Sequence, residues 1–116
     1  MKLQQLKNSN ILHWGDILNT IEIEQLLKLD NPIIIDVRYA YDFNKGNIPT
    51  SINIPYYHLE RNYKHYLNQI DIYYLYCDLG DRSGELSEYL NKKKYNTISI
   101  LGGYTAYNNF LKNHDK

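Results

Sequence analysis

Short apolar bursts separated by polar, turn-forming stretches run the length of this chain. Ile33, Ile34 and Ile35 form an unbroken β-branched run. With no polar residue interleaved, such a run predicts a strand buried on both faces, as in a parallel sheet. Asp71–Tyr76 and Thr97–Ile100 have similar β-type composition. Ile52-Asn53-Ile54 alternates as a short strand that Pro55 ends, and Leu18–Thr20 predicts another very short one. Between these runs the period changes to that of a helix. Ile21–Leu29 places Ile23, Leu26 and Leu27 on one face, with Thr20 as its N-cap and Asp30-Asn31-Pro32 as its stop. Tyr39–Phe43 predicts a single helical turn, followed by a turn at Lys45-Gly46-Asn47. Tyr56–Leu67 predicts one helix, with Leu59, Tyr63 and Leu67 spaced by four. Ser83–Lys94 predicts a longer one with Leu86, Tyr89 and Leu90 inward and Lys92, Lys93 and Lys94 in its last turn, where cations suit the helix dipole. Tyr104–Leu111 closes the series. Strands alternating with helices predict an α/β fold, a central parallel sheet flanked by helices on both faces.

At 116 residues the chain has the size of one domain and buries a core without staples. Residues 1–17 read as an N-terminal extension, in which Leu3 and Leu6 stand among polar residues and Trp14 reads as a packing residue. Residues 18–112 read as the domain and 113–116 as a tail. The formal net charge is zero, so no field draws the protein to nucleic acid or to an anionic membrane. No apolar run approaches the ~18 residues of a membrane span, and the first ten residues have no signal-peptide core. The one cysteine excludes an internal disulfide, and a lone thiol suits a reducing cytoplasm. The thirteen tyrosines read as core and surface filler rather than as a stacking platform. His58 and His65 have no cysteine nearby, and no metal site is expected.

Chemistry concentrates in Asp71–Leu90. A strand leads into Cys77, then a tight loop, then a helix. Loop N–H groups there have no ladder partner and can point at a bound anion or at the sulfur. The helix N-terminus adds roughly half a positive charge. Both favour the thiolate, the reactive form of a cysteine. Gly80 supplies the freedom a tight loop needs, Arg82 a planar, permanently charged donor, and Ser83 a helix cap. Asp36 and Arg38, at the end of a buried parallel strand, are either an ion pair that holds loops or direct substrate contacts. Gly102 and Gly103 read as turn glycines near the site with no assigned role.

The loop CDLGDRS, Cys77–Ser83, resembles the active-site loop of the rhodanese-like sulfurtransferases, of pattern C-x-x-G-x-R-S. The earlier IIIDVRYAYDFNKGNIPTSINIP resembles the family's D-V-R, acidic-aromatic, G-H-I-P-G-A and I-N-I-P signature, and LGGYTAY its closing glycine pair and aromatic segment. The match runs in register from Thr20 to Leu111. Asn47 stands where the family usually has His, Thr50 where it has Gly, and Tyr107 where it has Trp. The resemblance implies a single rhodanese-like domain in which Cys77 takes a sulfane sulfur as a persulfide and passes it to a thiol or cyanide, with no cofactor. It implies that the loop from Asp78 through Leu79, Gly80, Asp81 and Arg82 to Ser83 binds the transferred sulfur, with Arg82 holding the donor or steadying the loop.

Two aspartates face one arginine in that loop. A unit charge ~6 Å from the sulfur is worth about 3 kcal/mol at an effective dielectric of ~20, so one acidic side chain at similar range cancels Arg82. On this ground dianionic thiosulfate is expected to be a poorer donor than a persulfide of a small thiol or of a protein. Two alternatives stand beside the enzyme. One is a persulfide relay or regulatory module without independent turnover, since no second cysteine discharges Cys77. The other is a phosphatase or arsenate reductase of the same architecture. Those use five residues between Cys and Arg, whereas four intervene here, and the aspartates repel phosphate.

Overall fold

A computed structural model describes residues 19–114. The expectations for Leu3, Leu6, Trp14 and Leu18 lie outside the described residues. The elements are β1 (Thr20–Ile21), α1 (Ile23–Leu26), β2 (Ile33–Asp36), α2 (Ala40–Lys45), β3 (Ile52–Asn53), α3 (Tyr56–Arg61), α4 (Tyr63–Tyr66), β4 (Ile72–Tyr76), α5 (Asp81–Lys92), β5 (Asn96–Ile100) and α6 (Gly103–His114).

The strands form one five-stranded sheet in the order β1-β5-β4-β2-β3, every pair parallel. Alternation along the strands sorts the core into two layers. Ile35, Tyr73 and Leu75 face one side, with Leu59 of α3, Leu67 after α4, and Leu86 and Leu90 of α5. Ile34, Tyr76 and Ile100 face the other, with Ile23 and Leu26 of α1, Ile48, and Tyr107 of α6. The isoleucine run of β2 is therefore apolar throughout because it serves both layers. Helices cover both faces, as the alternation of periods implies.

Several boundaries differ from the sequence expectation, each for a local reason. Thr20 is not a helix cap. It and Ile21 form the strand that pairs β5, with Ser99 N–H donating to Asn19 O at 2.7 Å and Leu101 N–H to Ile21 O at 2.8 Å. The open ladder of β5 captures Ile21, and the helix starts at Ile23 with Glu22 as its cap. The expected helix Tyr56–Leu67 is two. Asn62 breaks it at φ −125° and ψ 32°, its side chain taking the His58 carbonyl at 2.9 Å, the competition that disfavours Asn inside helices. His58 and His65 accordingly sit on separate helices. At the other end of the chain α6 continues to His114, whose ring stacks on Phe110. Lys94 is outside α5, in the left-handed region at φ 75°.

Candidate active site

Cys77 follows the last residue of β4, at the carboxyl end of a central strand. Its side chain continues the face of Tyr73 and Leu75 and is 6% exposed. The chain then turns sharply through Gly80, at φ 102°, into α5. Two N–H groups of this turn aim at the sulfur, Gly80 at 3.1 Å and Ser83 at 3.3 Å. Ser83, expected to cap α5, is instead inside its first turn, and Gly80 takes the cap position. The Ser83 N–H that a capping hydroxyl would otherwise satisfy is spent on sulfur. The Ser83 hydroxyl lies 3.5 Å from Sγ and 2.8 Å from the Ser99 hydroxyl, in a buried row beneath the cysteine.

The loop is held open from behind by α6. Tyr104 N–H donates to the Cys77 carbonyl at 2.8 Å and Thr105 N–H to the Asp78 carbonyl at 3.0 Å. Because each peptide is planar and trans, these bonds turn the N–H groups of Asp78 and Leu79 away from α6. This approach requires a glycine at 103. It has φ 56°, and a Cβ there would collide with the carbonyls of Cys77 and Asp78. Gly103 is thus more than a turn residue: it lets a helix N-terminus reach the Cys77 loop.

Asp36 and Arg38 form a bracket beside the loop. Asp36 is fully buried, and its carboxylate accepts Arg38 Nη2 at 2.8 Å and Nε at 3.1 and 3.2 Å. Arg38 also donates to the Gly46 carbonyl at 2.7 Å and reaches Asp78 at 3.4 Å. Its guanidinium lies 4.2 Å over Tyr104. Burial works against the Arg38 charge, but the hydrogen bonds and field of Asp36 outweigh it, so Arg38 holds its proton more tightly than an ordinary arginine. Both residues thus tie β2, the end of α2 and the Cys77 loop together. Tyr76, an ordinary strand residue by sequence, belongs to the same network. Its hydroxyl accepts Ile48 N–H at 3.0 Å, and burial pushes its ionisation up.

The two loop aspartates separate in space. Asp78 turns to Arg38, whereas Asp81 places a carboxylate oxygen 3.9 Å from Sγ while accepting Arg82 N–H at 2.9 Å. Arg82 stacks over Tyr56, its guanidinium carbon 4.4 Å from the ring centre. Leu79 is exposed at the rim. A pocket of about 600 Å³ opens above Cys77, between its loop, the end of β2 and the start of α3. α3 contributes Tyr56, Tyr57, His58 and Arg61. These residues carry no sequence signal of a site, because an amphipathic helix has to be packed before its exposed face has a neighbour. Two further arginines from outside the loop therefore stand near its two aspartates. Arg38, already paired with Asp36, reaches Asp78 at 3.4 Å, and Arg61 joins Arg82 at the pocket.

Comparison with known proteins agrees with this geometry. The family model for the Rhodanese-like domain matches residues 20–110. A probable molybdopterin-synthase adenylyltransferase of Pyropia yezoensis is 32% identical over 101 residues, which cover 84% of this chain and 27% of that protein. A tRNA uridine(34) hydroxylase of Buchnera aphidicola is 27% identical over 101 residues, 80% of this chain and 32% of that one. The chain thus spans between about a quarter and a third of the length of these curated relatives. A rhodanese-like domain protein of Staphylococcus aureus superposes with a TM-score of 0.68 at 28% identity, covering 77% of this chain and 90% of that one. With the family's motifs in order, its parallel sheet and its loop around Cys77, this chain belongs to the rhodanese-like domain family.

Proposed function

We propose that this protein is a sulfurtransferase that takes a sulfane sulfur onto Cys77 as a persulfide and hands it to a thiol or cyanide. The observation that carries the reading is the convergence of the Gly80 and Ser83 N–H groups on Sγ. Hydrogen bonds to a charged acceptor contribute about 1.5–3 kcal/mol each, and here they offset the field of the Asp81 carboxylate 3.9 Å from Sγ. The thiolate attacks the outer sulfur of the donor, the donor's S–S bond breaks, and sulfite or a thiolate leaves with the electron pair. The Asp78 and Leu79 N–H groups, turned from α6, serve the outer sulfur of the persulfide. Leu79 shields the rim, and Asp36 and Arg38 position the loop without touching substrate. A reducing compartment such as the cytoplasm suits a chain whose one thiol is its reagent.

Asp81 bears on the choice of donor. A negative charge brought within ~4 Å of it costs about 4 kcal/mol at an effective dielectric of ~20, less with solvent screening. Thiosulfate is therefore a poorer donor than a persulfide. A second reading, relay of sulfur to another protein or domain, is favoured by one finding: the chain matches only part of its longer curated relatives.

Intact mass of reduced protein after incubation with thiosulfate, or with glutathione persulfide, tests the chemistry. Wild type gains one sulfur atom, cyanide or excess thiol removes it, and Cys77→Ser gains none. Absence of any gain overturns the reading. Asp81→Asn raises the thiosulfate loading rate about tenfold or more, and an unchanged rate refutes the charge argument. Multiple turnover with a small donor and acceptor identifies a free enzyme, and stoichiometric loading alone a relay.

A further inference from the structure

Two cations at the mouth of the Cys77 pocket have no carboxylate partner. Arg61, at the end of α3, and Arg82, in the first turn of α5, both line the pocket. Each guanidinium carbon lies 5.8 Å from the centre of the Tyr57 ring. Among the described residues no carboxylate is within ion-pair distance of either, and Glu85 acts on Arg82 only through space. Arg38, the third arginine of the pocket, is already engaged by Asp36, Gly46 and Asp78.

A guanidinium packed on an aromatic ring can still present its fork to a carboxylate; Arg82 also hydrogen-bonds with Tyr56 and Tyr57, which leaves Arg61 as the less engaged of the two. The same pocket is lined by the apolar surfaces of Pro55, Tyr56, Tyr57 and Leu79, and by the carboxylates of Asp42, Asp78 and Asp81. The volume of about 600 Å³ falls in the range of organic-ligand pockets and far exceeds the needs of a five-atom anion. In thiosulfate the negative oxygens lie only two bonds from the sulfur under attack, within range of the Asp81 carboxylate beside Sγ. An organic persulfide with a remote carboxylate separates the two. Its sulfur goes to Cys77, its chain follows the apolar wall, and its charge ends at the arginines.

We infer that Arg61 and Arg82, braced on Tyr57, form a carboxylate subsite that selects an organic persulfide carrying a carboxylate several bonds from its sulfur. This rests on the persulfide reading above. In the step itself the Cys77 thiolate bonds the outer sulfur of R–S–SH, the S–S bond of the donor breaks, and R–S⁻ leaves with the pair and takes a proton from water. The product is Cys77–S–SH, and no external oxidant or reductant takes part. Arg61 contributes binding and discrimination, not bond-breaking.

The test compares loading rates by intact mass for glutathione persulfide and for the persulfide of glutathione diethyl ester, which differ only in their carboxylates. Wild type loads from the acid about tenfold faster than from the ester at low salt. In Arg61→Gln the ratio falls to about one, and in Arg61→Lys a point charge without the planar fork restores part of it. Mass gain from both donors with the same ratio in wild type and Arg61→Gln overturns the subsite and leaves the persulfide chemistry standing. No gain from either donor overturns the sulfur-transfer reading and this inference with it.

Discussion

Thr50 shows how one residue departs from what its backbone asks. It lies in the left-handed region at φ 71°, at the position where the family pattern places glycine. A β-branched side chain there crowds the following carbonyl, at a cost of roughly 1–2 kcal/mol, and a glycine avoids the crowding but surrenders more chain entropy. Thr50→Gly is therefore expected to stabilise by up to about 1 kcal/mol, read as a raised thermal midpoint with unchanged Cys77 loading. Asn47, in place of the usual histidine, has a visible local task, donating to the Phe43 carbonyl at 3.0 Å to close α2. Cys77, Gly80 and Ser83 were legible as a group because the loop spacing leaves them little choice. Asp78 and Asp81 were not, since two acidic side chains three positions apart in one loop look alike until one meets Arg38 and the other meets the sulfur.

Among the elements, α6 matters beyond its core contacts. Its first turn donates two backbone hydrogen bonds to the Cys77 loop, through an approach that only Gly103 allows. Gly103→Ala would add a side chain at positive φ against two carbonyls, so the loop or the helix has to move. The expected result is a loss of about 2 kcal/mol or more in unfolding free energy, together with slowed Cys77 loading. Denaturant unfolding checks the first and the mass time course the second. A stable protein with an unchanged loading rate would show that the clamp is dispensable. The sequence marks Gly103 only as a turn glycine because its real neighbour, the Cys77 carbonyl, is far away in the chain. The same holds for α3 and α4, which a regular spacing of Leu59, Tyr63 and Leu67 presents as one helix. The backbone at Asn62 divides it, and the division leaves Arg61 at the end of α3.

For the whole molecule, the two core layers share one thin sheet, and β4 supplies side chains to both. Leu75 is fully buried in the layer that also holds Cys77. Leu75→Ala is expected to cost about 2–5 kcal/mol through lost transfer energy and the cavity left behind. Because the layers share their strands, unfolding should remain a single transition, with far-ultraviolet and tyrosine signals coincident. Separate midpoints for the two signals would show that the layers come apart independently.

The α/β class and the strand runs, together with the thiol at the start of a glycine-bearing loop, were determined by local rules. Side-chain period, proline and glycine placement and motif spacing all act within a few residues, so one chain read in order contains them. The parallel order of the strands follows from those alternating elements only as a class. The strand order β1-β5-β4-β2-β3, and the extension of the short strand at Thr20 to Ile21 by pairing with β5, needed the folded sheet. The partners of Asp78 and Asp81, the clamp of α6 and the meeting of Arg61 with Arg82 at Tyr57 were likewise decided by tertiary structure. Charges and close approaches act through space with a range of a few ångströms, and only packing brings distant residues of the chain within it.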